Sequence, residues 1–456
     1  SYRMNVAVIL AGGVGNRLDK SHPKQFFKVA GKTVIEHTVN VFEKNRLIDE
    51  IAIVINPNYQ VTIEDLVLSN RWKKVRKILK GGAERYHSSM AAVNAYAGTG
   101  DINLIFHDAV RPLISDRIID DTVAALDKYN AVDVAIPAVD TIISTEGDFI
   151  DAIPERSKLR RGQTPQGFKL ETIKRAYEKA LQDPAFKSTD DCGVVLKYLP
   201  EEKIYVVKGE EVNMKLTYKE DSYLLDKLFQ LRSFALAGQD IPFGQLKEKV
   251  LVVFGGSYGI GAEIARIAEK HGAKVYCFSR SLNGVDISSA GQVRNSLEKV
   301  AAEAGRIDFV VNTAAILQKE PLNSMDYQAV RKMVEVNYLG MVNVAMESFP
   351  YLEKSRGQLL FYTSSSYTRG RAFYSIYSST KAAVVNFVQA IAQEWESAGV
   401  RVNCINPERT KTPMRIKNFG MEDDATLLKA EEVAGESIKT LLSDFTGQVV
   451  DVKLAK

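Results

Sequence analysis

Leu10-Ala11-Gly12-Gly13-Val14-Gly15-Asn16-Arg17, and later Gly255-Gly256-Ser257-Tyr258-Gly259-Ile260-Gly261, are two glycine-rich turns, and each follows a short apolar run. Glycine lets a backbone approach a phosphate closely and present its N–H groups to it. The residues downstream of the two turns differ completely. The chain therefore reads as two enzymes in one polypeptide, each turn opening its own α/β unit.

Working outward, apolar runs at 6–10, 51–55 and 104–106, then at 250–254, 274–278 and 309–312, alternate with amphipathic stretches. That alternation predicts parallel sheets with crossover helices. The expected fold class is α/β with two doubly wound domains. Residues 221–231 read as a closing helix, and 237–244 have turn composition. The expected division is a first domain over 1–231, a linker over 232–246 and a second domain over 247–456. A length of 456 residues suits this, because it exceeds one ordinary core.

Composition narrows the function classes. A net charge of +4, from 60 basic against 56 acidic residues, is too small to argue for nucleic acid or membrane binding. Cys192, Cys277 and Cys404 form no CxxC, which disfavours a disulfide framework or zinc knuckle and favours a reducing cytoplasm. No apolar run approaches the ~18 residues of a membrane helix. Residues 5–10 read as a strand running into Gly12, not as a signal peptide.

In the first half, Gly12, Gly13 and Gly15 could present backbone N–H groups to a triphosphate, with Arg17 and Lys24 adding charge beside the loop. Further blocks follow in order: Pro23-Lys24-Gln25-Phe26, Gly81-Gly82-Ala83-Glu84-Arg85, His107-Asp108-Ala109-Val110-Arg111-Pro112, Asp140-Thr141-Ile142, Gln163-Thr164-Pro165-Gln166 and Asn213-Met214-Lys215-Leu216-Thr217. Together they resemble the cytidylyltransferases that make CDP-polyols, which act on methylerythritol phosphate or ribitol 5-phosphate. The resemblance spans roughly residues 4–231 and implies a nucleotidyltransferase Rossmann-like domain.

It also implies roles. Arg17, Lys24 and Lys215 would stabilise charge at the α-phosphate of CTP, and Asp108 would hold Mg²⁺. Leu10, Ala11, Gly12, Gly13, Gly15, Gly82, Arg85 and Ser88 would surround the nucleotide. Arg111, Asp140, Thr164 and Lys215 would face the acceptor. Nucleotidyl transfer needs positioning and charge neutralisation more than covalent chemistry. Methylerythritol-type members usually carry an acidic residue before Asn-x-Lys, and here Val212 stands there. The stretch 161–166 also looks more like the ribitol branch, so a pentitol phosphate acceptor is favoured. Residues 141–159 suggest a hairpin, which in the family is an arm reaching a partner subunit.

In the second half, Tyr377-Ser378-Ser379-Thr380-Lys381 puts a tyrosine and a lysine one helical turn apart. Ser364 lies 13 positions upstream (377 − 364), Asn312-Thr313-Ala314-Ala315 follows a predicted strand, and Asn337 falls in a helix between them. This order resembles the short-chain dehydrogenase/reductase family over roughly 247–456 and implies its Rossmann domain. By that resemblance Tyr377 would be the general acid, Lys381 would lower its pKa, Ser364 would hold the substrate carbonyl and Asn337 a relay water. Gly255, Ser257, Gly259, Ile260 and Gly261 would receive the cofactor pyrophosphate, with Asn312 and Thr412 nearby. Glu408 replaces a family glycine after Asn406-Pro407. Ser279-Arg280-Ser281 offers no carboxylate to a ribose diol but could hold a 2′-phosphate, so NADPH is expected over NADH.

A cytidylyltransferase joined to a ketone reductase suggests consecutive steps. The pair resembles the bifunctional ribulose-5-phosphate reductase/CDP-ribitol pyrophosphorylases. The expected substrates are D-ribulose 5-phosphate, D-ribitol 5-phosphate and CTP, with capsule or teichoic-acid polymers as destination and a homodimer or larger homo-oligomer as assembly. Another CDP-polyol synthase remains an alternative, as does a degenerate half that only binds.

Overall fold

The computed structural model describes residues 3–12, 23–29, 31–231 and 241–454. The chain forms two compact units that divide between Asp226 and Lys227. Each unit carries its own sheet and core.

The first unit is built on a seven-stranded sheet in the order Ile204–Lys208, Ala131–Pro137, Arg160–Lys169, Ile102–Asp108, Met4–Ala11, Glu50–Ile55, Val75–Lys80. Met4–Ala11 is apolar almost throughout because helices cover both faces of the sheet. Val6, Val8 and Leu10 pack on one side with Phe106, Ile173 and Tyr177. Ala7, Ile9 and Ala11 pack on the other with Ile35, Val39 and Phe42. Each fully buried Val or Ile contributes roughly 1.5–3 kcal/mol.

The expected parallel sheet needs one correction here. Arg160–Lys169 runs antiparallel to both Ile102–Asp108 and Ala131–Pro137. Between Ala131–Pro137 and Arg160–Lys169 the chain makes no crossover α-helix. It makes a small hairpin, Ser144–Glu146 against Phe149–Ala152, and so returns alongside the strand it left. The hairpin expected at 141–159 is thus present.

In the second unit six strands run parallel, in the order Lys274–Phe278, Val250–Phe254, Phe309–Asn312, Gln358–Tyr362, Arg401–Pro407, Val449–Val452. All five residues of Val250–Phe254 are buried. Val252 and Phe254 meet Val336, Met341 and Val385. Leu251 and Val253 meet Ile264 and Ile438. The helix Ser375–Glu394 carries the Tyr-x-x-x-Lys segment, and Glu335–Leu339 is a π-helical turn opening into Gly340–Ser355. Such π turns commonly mark functional positions.

Candidate active sites

In parallel α/β sheets ligands bind at the carboxyl ends of the strands. In the first unit Gly12 follows Met4–Ala11 and Gly81 follows Val75–Lys80. A Cβ on Gly12 would stand 2.6 Å from Ser88 Oγ and 3.2 Å from Gly81 Cα. The two turns therefore meet backbone to backbone in front of Ser88, leaving room for no side chain. Gly82 packs on the His87 side chain. Ser88 and Arg85 sit in the first turns of the helix Arg85–Tyr96. Leu10 and Ala11 are buried at the end of their strand. Gly13, Gly15 and Arg17 lie outside the described residues.

Asp108 ends its strand between two arginines. Its Oδ1 accepts from Arg85 Nη1 at 3.0 Å and its Oδ2 from Arg111 Nε at 3.1 Å. Burial alone would raise this carboxyl. The charges of Arg85, Lys215 and Arg111 outweigh it and hold the group far below the ordinary carboxylate range. Arg85 also reaches Asp191 Oδ2 at 3.4 Å, and Asp191 Oδ1 accepts from the Tyr177 hydroxyl at 2.5 Å.

A polar relay supports this carboxylate. Burial lowers His107 to about 4, so the ring is neutral at physiological pH. Its Nε2 lies 3.0 Å from the Arg111 carbonyl, which can only accept. That fixes Nδ1 as an acceptor for the Thr164 hydroxyl at 2.9 Å, and Thr164 Oγ1 in turn accepts from Asp108 N at 3.1 Å. Arg111 Nη1 donates to Asn213 O at 2.7 Å, and Asn213 Nδ2 donates to Thr164 O at 2.9 Å. These bonds tie the Lys215 loop to the Asp108 turn, and Leu216 N adds another to Val110 O. Lys215 is exposed on that loop.

Lys24 lies on a 3₁₀ turn that Gln25 ties to Ala11 O. Asp140 is exposed beyond Ala131–Pro137 and makes no hydrogen bond or ion pair among the described residues. Sequence reasoning missed Asp191, Tyr177 and the role of His107. Only His107 carried a signal, as the residue beside Asp108.

Among the described residues no three His, Cys, Asp or Glu side chains gather as a metal site. Asp108 still fits a magnesium ion that arrives on phosphate oxygens. It is a hard oxygen donor kept ionised at neutral pH by its cationic neighbours, and its arginines occupy two of about four lone-pair positions.

In the second unit a cavity of about 590 Å³ opens at the carboxyl ends of the strands. Gly255, Ser257, Gly259 and Ile260 line one wall, and Ser364, Tyr377 and Lys381 line another. Gly255 has φ +85°, and a Cβ there would stand 2.6 Å from Thr313 Oγ1. Thr313 clamps the turn by donating to Gly255 O at 3.0 Å. Gly261 packs against that same carbonyl. This close-packed cradle fits a pyrophosphate. Asn312 is buried and accepts from Ala314 N at 3.1 Å, ordering the facing loop.

Ser279 caps the short helix Arg280–Asn283, accepting from Leu282 N at 3.0 Å. Arg280 is exposed at the cavity, and its charge bears on Asp286, which Ser288 already engages through two hydrogen bonds. Thr412 stands opposite Gly259, 3.7 Å from where a Cβ would be.

Burial raises Tyr377 to about 12, opposed by the charge of Arg415. Burial lowers Lys381 to about 8. Lys381 Nζ donates to Tyr362 O at 3.0 Å. Ser364 Oγ lies 2.5 Å from Ser366 Oγ. Asn337 holds the backbone of Ile316 with two bonds of 2.8 Å and donates to Thr380 Oγ1 at 3.3 Å. Glu408 shows why the missing glycine is tolerated. Its φ is not positive, and its carboxylate accepts from Leu454 N at 2.9 Å. The structure thus brings Ser364, Tyr377, Lys381 and the glycine turn to one cavity, able to protonate a bound carbonyl oxygen beside a dinucleotide.

Comparison with known proteins agrees with both halves. The family described as 2-C-methyl-D-erythritol 4-phosphate cytidylyltransferase matches residues 5–230, and the short chain dehydrogenase family matches 282–423. The chain is 49% identical, over 99% of its length and 96% of the relative's, to the bifunctional ribulose 5-phosphate reductase/CDP-ribitol pyrophosphorylase of Haemophilus influenzae. Its first half is 43% identical to a 2-C-methyl-D-erythritol 4-phosphate cytidylyltransferase of Thermobifida fusca, covering 49% of this chain and 92% of that protein. It is 33% identical to the ribitol-5-phosphate cytidylyltransferase of Lactiplantibacillus plantarum, covering 50% of this chain and all of that protein.

Proposed function

The chain belongs to the family of bifunctional ribulose 5-phosphate reductase/CDP-ribitol pyrophosphorylases, and we propose from that membership that it makes CDP-ribitol in two steps. D-Ribulose 5-phosphate, NADPH and a proton give D-ribitol 5-phosphate and NADP⁺. D-Ribitol 5-phosphate and CTP then give CDP-ribitol and pyrophosphate. The observation that carries the reading is the convergence of Ser364, Tyr377 and Lys381 on the cavity that the glycine turn lines.

In the reductase, bound NADPH supplies the two electrons. Ser364 turns its hydroxyl from Ser366 to the substrate carbonyl. Tyr377 gives its proton to the developing alkoxide, and protonated Lys381 makes that tyrosine a better acid. Asn337 fixes the Ile316 backbone beside the proton path. Gly255, Gly259 and Gly261 receive the pyrophosphate, with Ser257, Ile260, Asn312 and Thr412 around it. Arg280 and Ser279 meet the 2′-phosphate, which favours NADPH.

In the transferase, Gly12, Gly82, Arg85 and Ser88 surround CTP. Lys24 and Lys215 neutralise the α-phosphate as the acceptor phosphate attacks and pyrophosphate leaves. Arg17 acts with them. Asp108 would hold Mg²⁺, which when bound would add charge neutralisation at the nucleotide phosphates. Thr164 and Arg111 brace the acceptor side, with Asp140 at its edge. Val212, where methylerythritol enzymes usually carry an acid, supports a pentitol phosphate acceptor.

The exposed hairpin supports a homodimer, because Phe149 and Ile150 present apolar surface to solvent. The product suits capsule or teichoic-acid polymers made from a cytoplasmic precursor. The test is a split assay with D-ribulose 5-phosphate. NADPH oxidation without CTP, and CDP-ribitol with pyrophosphate only once CTP and Mg²⁺ are added, support the order. No oxidation overturns the substrate.

A further inference from the structure

We propose that Arg415 recognises the phosphate of the reductase substrate and so sets its specificity for a phosphorylated ketose. The inference rests on the ketose-phosphate reading above and adds the residue that would enforce it.

A phosphate dianion entering the Tyr377 cavity needs a fixed cation. Four basic residues beyond the cofactor wall line that cavity: Arg371, Arg409, Lys417 and Arg415. Arg371, Arg409 and Lys417 are exposed, and none of their side chains is held by an ion pair among the described residues. Arg415 differs in both respects. Its side chain is 19% exposed and is held by Glu422 through two bonds, Nε to Oε1 at 2.9 Å and Nη2 to Oε2 at 3.3 Å. Its guanidinium lies 4.0 Å from the centre of the Phe419 ring. Phe419 stacks on Tyr374, another lining residue, at 6.0 Å and 18°. Lys319 stands over the same two rings.

These contacts fix a planar fork whose Nη1 edge has no partner among the described residues. Guanidinium planes pre-ordered in this way match the two-oxygen edge of a phosphate. The position is also tied to the cofactor. Thr412 caps the helix Pro413–Phe419 by accepting from Arg415 N at 3.2 Å, and the same threonine faces Gly259. Arg415 also acts electrostatically on Tyr377, which puts its charge within reach of the reacting end.

The test compares D-ribulose 5-phosphate with D-ribulose in wild type, Arg415→Gln, Arg415→Lys and Glu422→Gln. In Arg415→Gln the kcat/KM for the phosphorylated ketose should fall about 100-fold, mostly through KM, while that for D-ribulose changes less than about 3-fold. Arg415→Lys should recover part of the loss. Glu422→Gln should raise KM for the phosphate ester and leave D-ribulose alone. Cytidylyl transfer in the same samples reports folding. An equal loss on both ketoses, or no loss, overturns the proposal. If wild type reduces neither ketose, the substrate reading fails separately. Calorimetry with inorganic phosphate, on enzyme loaded with NADP⁺ and CTP, then decides for Arg415. Heat lost in Arg415→Gln upholds it, and heat unchanged overturns it.

Discussion

Lys381 Nζ lies 5.7 Å from the centre of the Tyr377 ring, one helical turn away on the same face of Ser375–Glu394. Burial separates the two groups in opposite senses, with the lysine lowered to about 8 and the tyrosine raised to about 12. At neutral pH both carry their protons, which is the state carbonyl reduction needs. Reduction should therefore weaken as pH rises through about 8, when the positive charge beside the Tyr377 ring is lost. A pH–rate profile of the reductase reads this limb, and Lys381→Met should remove it together with most activity.

The same lysine makes a stability prediction. Its folded pKa lies below the ~10.4 of an unfolded chain, so the unfolded state binds its proton more tightly. The charged group opposes folding fully below about pH 8, and the penalty fades as pH rises towards ~10.4. The cofactor-free protein should thus gain stability across that window. Lys381→Met should be more stable than wild type at pH 7, by up to about 3 kcal/mol. Thermal denaturation at several pH values checks both.

Tyr377→Phe separates the two chemistries. Losing a general acid should slow reduction by about 10²–10⁴-fold. CDP-ribitol formation from added D-ribitol 5-phosphate should stay at the wild-type rate. Parallel NADPH and pyrophosphate assays test this, and a transferase that falls in step with the reductase would sink the two-site reading.

Asp108→Asn should do the converse. The carboxylate neutralises Arg85 and Arg111 together, so its loss leaves two half-buried cations facing one another. Breaking such a cluster costs about 3–5 kcal/mol. Cytidylyl transfer should fall at least ~100-fold, with reduction unaffected. Because the folded carboxyl titrates below its unfolded value, its contribution is complete above pH ~3.9 and disappears only at still lower pH. Acid unfolding followed in wild type and variant reads the difference.

What could be read from the chain was whatever depends on neighbours in sequence. The second glycine turn, the Tyr377–Lys381 spacing and the strand Val250–Phe254 are local patterns, and each stands where its pattern implies. The antiparallel course of Arg160–Lys169 was not legible, because strand direction follows from which neighbour is chosen across the sheet. Asp191 reaches Arg85 across 106 positions, and no motif announces that pair. The hold of Glu422 on Arg415 exists only once Pro413–Phe419 has folded back beside the cavity. The replacement of glycine by Glu408 was readable, but its harmlessness was not. That depended on the bond to Leu454 N and on a backbone angle.

Arg280 offers a cofactor test. It is exposed at the cavity edge, at the start of the short helix that Ser279 caps. A guanidinium there would meet a 2′-phosphate, which NADH lacks. Arg280→Ala should raise KM for NADPH about 10-fold, the worth of one charge-assisted hydrogen bond, and leave KM for NADH unchanged. A wild-type preference for NADH would contradict the cofactor assignment itself.

The hairpin gives the last prediction. Phe149 is 80% exposed and Ile150 60% exposed, on strands whose side chains touch no core. Clustered apolar side chains at such exposure mark a surface that something covers. In a symmetric dimer the two arms would cover each other's subunit or one another. Replacing both residues by aspartate puts charge into that contact and disturbs no buried side chain of the monomer. Sedimentation velocity should show a dimer for wild type at micromolar concentration and a shift to monomer for Phe149→Asp/Ile150→Asp. The variant should melt within about 0.5 kcal/mol of the wild-type monomer, since surface changes rarely cost more. A wild-type monomer, or a variant that stays dimeric, would place the assembly surface elsewhere. Transferase activity lost with the dimer would further show that the arm completes the partner's site.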